Sequence, residues 1–163
     1  MPHFVQLSEY HSTELALQFL QRHHIPADLP SLLLLHQLAA AFANLPYENL
    51  SKVLRDKQTS QRDEVRRLPN EVLNDYYRLG AGGTCFSLTW TLLQLLRALG
   101  FVAEPLLADR RYGPDTHSAL VIWLDGVKHL LDPGYLITSP IPLQYRNTVH
   151  QAARSFRVVL RWP

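Results

Sequence analysis

Apolar residues recur at helical spacing as far as Gly100 and at strand spacing beyond it. From Ser12 to His24, Leu15, Ala16, Phe19 and Leu20 fall on one helical face, with Ser12 or Thr13 placed to cap the start. His23 and His24 then stand as a cap or a solvated pair at its end. Ile25-Pro26 and Leu29-Pro30 break the pattern. Ser31 caps a second helix over Leu32 to Ala43, apolar around most of its circumference and suited to the centre of a bundle. Asn44-Leu45-Pro46 ends it, and Leu45-Pro46-Tyr47-Glu48-Asn49-Leu50 reads as an extended proline turn leading into a short helix. The polar stretch from Arg55 to Arg67 reads as a surface loop leading into an exposed helix that Pro69 stops, after which Asn70 caps another short helix ending at Gly80. Leu88, Leu92, Leu95, Leu96 and Leu99 then mark an amphipathic helix, with Gly100 where a C-terminal cap belongs.

After Gly100, Phe101 to Ala108 reads as a strand that Pro105 weakens towards an edge or bulge position. Asp109 to Asp115 reads as a loop. His117 to Leu124 and Val127 to Asp132 flank Asp125-Gly126, a strong two-residue hairpin signal. If those two residues form the turn, Leu124 pairs with Val127, His117 lies opposite Gly134, and Asp132 lies opposite Ala119. Side chains alternate faces along a strand, so His117, Ala119 and Asp132 share one face. His117 and Asp132 are then diagonal neighbours, roughly 7–8 Å apart at Cα and within side-chain reach. A slip of one residue would place them on opposite faces. The fold class expected is α+β: a helical bundle over residues 1–80, then over 81–163 a nucleophile helix packed on an antiparallel sheet or barrel.

Composition changes this picture little. The 163 residues, 47% hydrophobic and 18% charged, are those of an ordinary globular protein. A net charge of +2 gives no whole-chain field that would draw nucleic acid or a membrane surface. The start, Met1-Pro2-His3-Phe4-Val5-Gln6, lacks the pattern of a secretory signal, and Leu32 to Ala43 is too short to span a bilayer. One cysteine forms no internal disulfide, which fits a reducing compartment, so a cytoplasmic protein is expected.

That cysteine carries the chemistry. Gly80-Ala81-Gly82-Gly83-Thr84-Cys85-Phe86 delivers it to the start of the leucine-rich helix. Unpaired N–H groups and the positive end of the helix dipole stabilise a thiolate there. A lone cysteine is ordinarily a small buried hydrophobe. A histidine and an aspartate sharing one face of a hairpin change that reading. Cys85, His117 and Asp132 supply a nucleophile, a base that returns its proton as an acid, and a group that fixes the imidazole tautomer. The remaining histidines (His3, His11, His23, His24, His36, His129 and His150) show no spacing that suggests zinc, so no metal is expected. Trp90 and Trp123 read as core. Arg146, Arg154, Arg157 and Arg161 form either a phosphate-binding edge or, the favoured reading, a solvated strand face.

These motifs resemble those of the arylamine N-acetyltransferases. Gly82-Gly83-Thr84-Cys85-Phe86 is similar to the nucleophile motif, and Pro46-Tyr47-Glu48-Asn49-Leu50 to a Pro-Phe-Glu-Asn-Leu signature near the end of the second helix. Thr116-His117-Ser118 and Leu131-Asp132-Pro133-Gly134 fall where that family carries its histidine and aspartate. The resemblance implies a papain-like and transglutaminase-like ancestry. It also implies ping-pong transfer of acetyl from acetyl-CoA, through a thioester on Cys85, to a small arylamine or hydrazine. Ala81 stands where the family usually has arginine, Ser87 where it has glutamate and Thr89 where it has asparagine. A transglutaminase-like amide transferase or hydrolase, an amide synthase, and a catalytically impaired binding scaffold are the alternatives.

Overall fold

The computed structural model describes residues 3–58, 66–143, 150–153 and 156–159, and side chains over 12–57 and 66–143. The helices are α1 (His3–Arg22), α2 (Ser31–Phe42), α3 (Leu50–Gln58), α4 (Pro69–Leu79) and α5 (Cys85–Ala98). The strands β1 (Ala103–Arg110), β2 (Gly113–Leu124), β3 (Val127–Asp132) and β4 (Ile137–Pro142) form an antiparallel sheet in the order β1-β2-β3-β4. A 3-10 turn, Pro133–Tyr135, joins β3 to β4. Strands β5 (His150–Ala153) and β6 (Phe156–Val159) pair in a sheet of their own. The architecture is α+β.

Helix α5 is the packing centre. Leu88, Leu92, Leu93, Leu95 and Leu96 are fully buried, and α5 packs against α1, α4, β1 and β2. Its leucines join one apolar cluster with Phe19 of α1, Leu35 and Phe42 of α2, Leu73 of α4, Leu120 of β2 and Leu131 of β3. Each such side chain contributes about 1.5–3 kcal/mol by leaving water. Trp90, expected in the core, is instead 45% exposed. The run of buried positions along α5 leaves Phe86, Trp90 and Arg97 on its outward face.

Several boundaries differ from the sequence expectations. Helix α1 begins at His3 rather than near Ser12, since no Gly or Pro interrupts His3 to Arg22. Beyond its end, His24 turns the chain with a φ of 54°, while the His23 ring lies on Phe19 and Tyr76, with centroids 4.4 and 6.4 Å apart. Helix α4 is capped at Leu68, with Pro69 as its first residue, the position where a missing N–H costs nothing. Glu71 accepts a hydrogen bond from the Leu68 N–H at 2.7 Å. The segment expected as a loop over 109–115 is strand as well, closed by a two-residue turn at Arg111-Tyr112. Arg146, Arg154, Arg161 and the Arg157 side chain lie outside the described residues.

The hairpin has the expected register, from Leu124 opposite Val127 to Leu120 opposite Leu131. Asp125 and Gly126 both take positive φ, 50° and 78°, as a tight primed turn requires.

The approach to α5 is fixed by a second pairing. Tyr47 and Gly83 form a parallel bridge. The Gly83 N–H donates to the Pro46 carbonyl at 3.1 Å, and the Glu48 N–H donates to the Gly83 carbonyl at 2.9 Å. Two backbones this close leave no room for a side chain between them: a Cβ on Gly82 would lie 1.8 Å from the Pro46 oxygen. Gly82→Ala is therefore expected to lower stability by about 2–4 kcal/mol, read as a urea midpoint shift at constant slope. An unchanged midpoint would show that this pairing does not constrain the chain.

Candidate active site

Cys85 is the first residue of α5, with Thr84 at the N-cap, and is 3% exposed. Its Sγ faces β2, where it meets His117 and the Ser118 backbone N–H. His117 Nε2 lies 2.6 Å from Asp132 Oδ2, and both residues are buried. The other carboxylate oxygen, Oδ1, accepts from the Tyr135 N–H at 3.1 Å, so Asp132 is held at both ends. The Tyr135 ring meets the imidazole edge-on at 4.7 Å between centroids. Gly134 closes the site from the 3-10 turn; a Cβ there would lie 3.3 Å from His117 Cε1 and 3.6 Å from Cys85 Cβ. The three residues singled out in the sequence thus meet at one point.

A fourth side chain meets them there. Ala108 of β1 pairs with His117, but Arg110 pairs with Gly113, so two steps along β1 are matched by four along β2. The irregularity is absorbed by Asp115, at φ 53°. Arg110 keeps the parity of Ala108 and so shares the face of His117. Its Nη2 lies 3.1 Å from Cys85 Sγ and 2.8 Å from His117 Nδ1. Arg110 was missed in the sequence because its segment reads as a loop; extending β1 by two residues would have placed it beside His117.

The electrostatics favour a charged sulfur at Cys85. Burial raises the Cys85 pKa, but hydrogen bonds from His117 and the Ser118 N–H, with the His117 and Arg110 charges, outweigh it and hold the thiol below its ordinary value. Burial likewise works against a charged His117, yet hydrogen bonds to Asp132 and Cys85 raise its pKa to about 9. The Arg110 contact opposes that charge, because a guanidinium can donate only to an unprotonated Nδ1. Two arrangements follow. With Arg110 seated on Nδ1 the ring is neutral and Nε2 donates to Asp132; with Nδ1 protonated, the ring pairs with the thiolate and Arg110 keeps only Sγ.

The N-acetyltransferase family model matches residues 28–161. The chain belongs to the arylamine N-acetyltransferase family. Its fold is similar to that of arylamine N-acetyltransferase C from Bacillus anthracis, with a TM-score of 0.67 at 19% identity over 89% of this chain and 58% of that one. The enzyme from Mycobacterium abscessus gives 0.66 at 25% identity, covering 88% of this chain and 50% of the other. An arylamine N-acetyltransferase from Bacillus cereus, described as having a Cys-His-Glu triad, gives 0.61 at 21%, covering 86% and 56%. The chain therefore spans between 50% and 58% of the length of these enzymes. No curated protein matches it.

The loop before Cys85 is held by a side chain from elsewhere in the chain. Ala81 carries no charge, but Arg67 brings a buried guanidinium to the same loop from the start of α4. Its Nη1 donates to the Gly82 carbonyl and, at 2.8 Å, to Ser51 Oγ; its Nη2 pairs with Asp75 at 2.6 Å. Glu48 stands 3.8 Å away and accepts from the Ser51 N–H at 2.9 Å. Thr89 donates to the Ser118 carbonyl at 2.8 Å, tying α5 to the strand that carries His117. Ser87 turns back to the Thr84 carbonyl at 3.1 Å. A cleft of about 780 Å³ lined by Glu48, Leu50, Leu54, Arg67 and Leu79 opens on the α3–α4 side and does not reach Cys85.

The charge pattern sets a pH profile. Alkylation of Cys85 by iodoacetamide should rise with pH through a midpoint below the ordinary thiol value of about 8.5. His117→Asn removes the largest stabilising contribution and should move that midpoint upward, as followed by mass spectrometry across a pH series. A variant midpoint at or below that of wild type would exclude the Cys85–His117 pair.

Proposed function

We propose that the chain is a cysteine acyltransferase that moves acetyl from acetyl-CoA to a small arylamine or hydrazine by a ping-pong route. The observation that carries this reading is the 2.6 Å His117–Asp132 contact beside a buried cysteine at a helix start, in a chain of this family. Cys85 thiolate attacks the acetyl carbonyl, and the coenzyme leaves as its thiolate, taking a proton from His117. The oxyanion formed on the way is answered by backbone N–H groups at the start of α5 and by Ser118. The amine then attacks the thioester; His117 takes its proton, Asp132 balances the imidazolium, and Cys85 leaves as thiolate.

Among the described residues no helix is long and apolar enough to cross a membrane. With a single cysteine kept as thiol, we place the reaction in the reducing cytoplasm.

The test is intact-protein mass spectrometry after incubation with acetyl-CoA and no acceptor. An acetyl adduct on wild type that is absent from Cys85→Ala, and is discharged by an arylamine, supports the route. Asp132→Asn should leave the fold intact and slow acetylation by about 10⁴-fold, as expected when tautomer control is lost. Acetylation of Cys85→Ala at the wild-type rate would overturn the assignment.

A further inference from the structure

Arg110 is not needed for the three-residue chemistry, yet it touches two of its atoms. Its Nη2 contacts Cys85 Sγ and His117 Nδ1, Tyr47 hydrogen-bonds the guanidinium, and the Tyr135 ring centroid lies 6.0 Å from Cζ. Its Nε is buried and has no hydrogen-bond partner. Among the described residues, the carboxylate ion pairs are made by Arg55, Arg67 and His117, not by Arg110. The contact that answers its charge is with Cys85 Sγ, whose thiol is held below its ordinary pKa and is an anion when ionised.

Acylation removes that anion, because a thioester sulfur is neutral. The guanidinium, which reaches Sγ through Nη2, then lies beside the acyl group without a counter-charge, and its Nε–H still has no partner. An acetyl group offers it only a methyl. An acyl chain ending in a carboxylate one or two carbons past its carbonyl would bring two acceptor oxygens to the guanidinium edge that carries Nε and Nη2. That is the side-on, bidentate arrangement arginine makes best.

We propose that Arg110 recognises a carboxylate on the acyl group, so that this site favours a short dicarboxylic acyl thioester of coenzyme A over acetyl-CoA. This rests on the acyl-transfer reading above and narrows its donor. The bonds exchanged are those already described: Sγ–C forms, the coenzyme C–S bond breaks, and the leaving thiolate takes the proton from His117. Drawing Arg110 onto the carboxylate also frees Nδ1, the atom that must receive the amine proton in the second half-reaction. A carboxylate on the acceptor would sit further from Sγ than the guanidinium does, so the donor is the better match.

The test uses the full chain as wild type, Arg110→Gln and Arg110→Lys. Iodoacetate and iodoacetamide both alkylate the single cysteine, and their rate ratio cancels any change in thiolate fraction. The ratio should fall about tenfold in Arg110→Gln, with Arg110→Lys between, since a lysine keeps the charge without the fork. In parallel, loading of Cys85 from malonyl-CoA and from acetyl-CoA is followed by intact mass. Wild type should load faster from malonyl-CoA and Arg110→Gln faster from acetyl-CoA. An unchanged haloacid ratio, or a malonyl preference that survives in Arg110→Gln, overturns the proposal. Should neither coenzyme thioester load Cys85, the acyl-transfer reading fails, and the haloacid ratio alone decides whether Arg110 recognises a carboxylate.

Discussion

The short backbone pairing between Pro46–Glu48 and Gly83 is the constraint on which the site depends. Two hydrogen bonds, from Gly83 to Pro46 and from Glu48 to Gly83, hold the chain two residues before Cys85 in an extended path. Such a contact needs a glycine at position 82, where the Pro46 carbonyl fills the space a Cβ would take. It also needs the Gly82 carbonyl satisfied, because a buried acceptor left unpaired costs about 1–3 kcal/mol. Arg67 meets that need, and its own buried charge is answered by Asp75 and Glu48. A glycine, a proline turn and a distant arginine are thus parts of one device, whose product is the position of a sulfur atom.

On the sheet side a second lock does comparable work. The tight turn at Asp125-Gly126 sets the register of β2 against β3, and register alone decides whether His117 and Asp132 meet. Thr89 joins the two locks by holding the Ser118 carbonyl from α5. The neighbouring Ser118 N–H is then left to face Cys85. A hydroxyl at position 89 can do this because helix and strand pack closely enough for a short side chain to span the gap.

The pair on the hairpin was legible in the sequence because two strict rules meet there: an Asp-Gly turn has two loop residues, and strand side chains alternate. Cys85 at a helix start was legible from the glycines before it and the leucine period after it. Arg67 was not, since it acts across 15 positions of chain on a carbonyl, and no local pattern encodes such a contact. Ala81 shows only that position 81 of the motif lacks an arginine, not which guanidinium arrives there in space. The β1–β2 turn was hidden for a related reason: Arg111-Tyr112 carries none of the Asn or Gly signals that mark tight turns, the positive φ values falling after it, at Gly113 and Asp115.

Charge balance explains why a cation can sit so close to the His117 imidazole. When Arg110 is seated on Nδ1 the His117 ring is neutral, so it carries no charge to answer a thiolate on Cys85. Arg110 then supplies the positive charge beside the sulfur, resting between Sγ and Nδ1. The same seat makes it an obstacle, since a guanidinium on Nδ1 blocks the lone pair a base must use. Each removal of negative charge from Sγ weakens the hold on Arg110 and each return restores it. On the route proposed above, the arginine's position would follow the covalent state of the cysteine, and any group that competes for the guanidinium would also set when His117 can accept a proton.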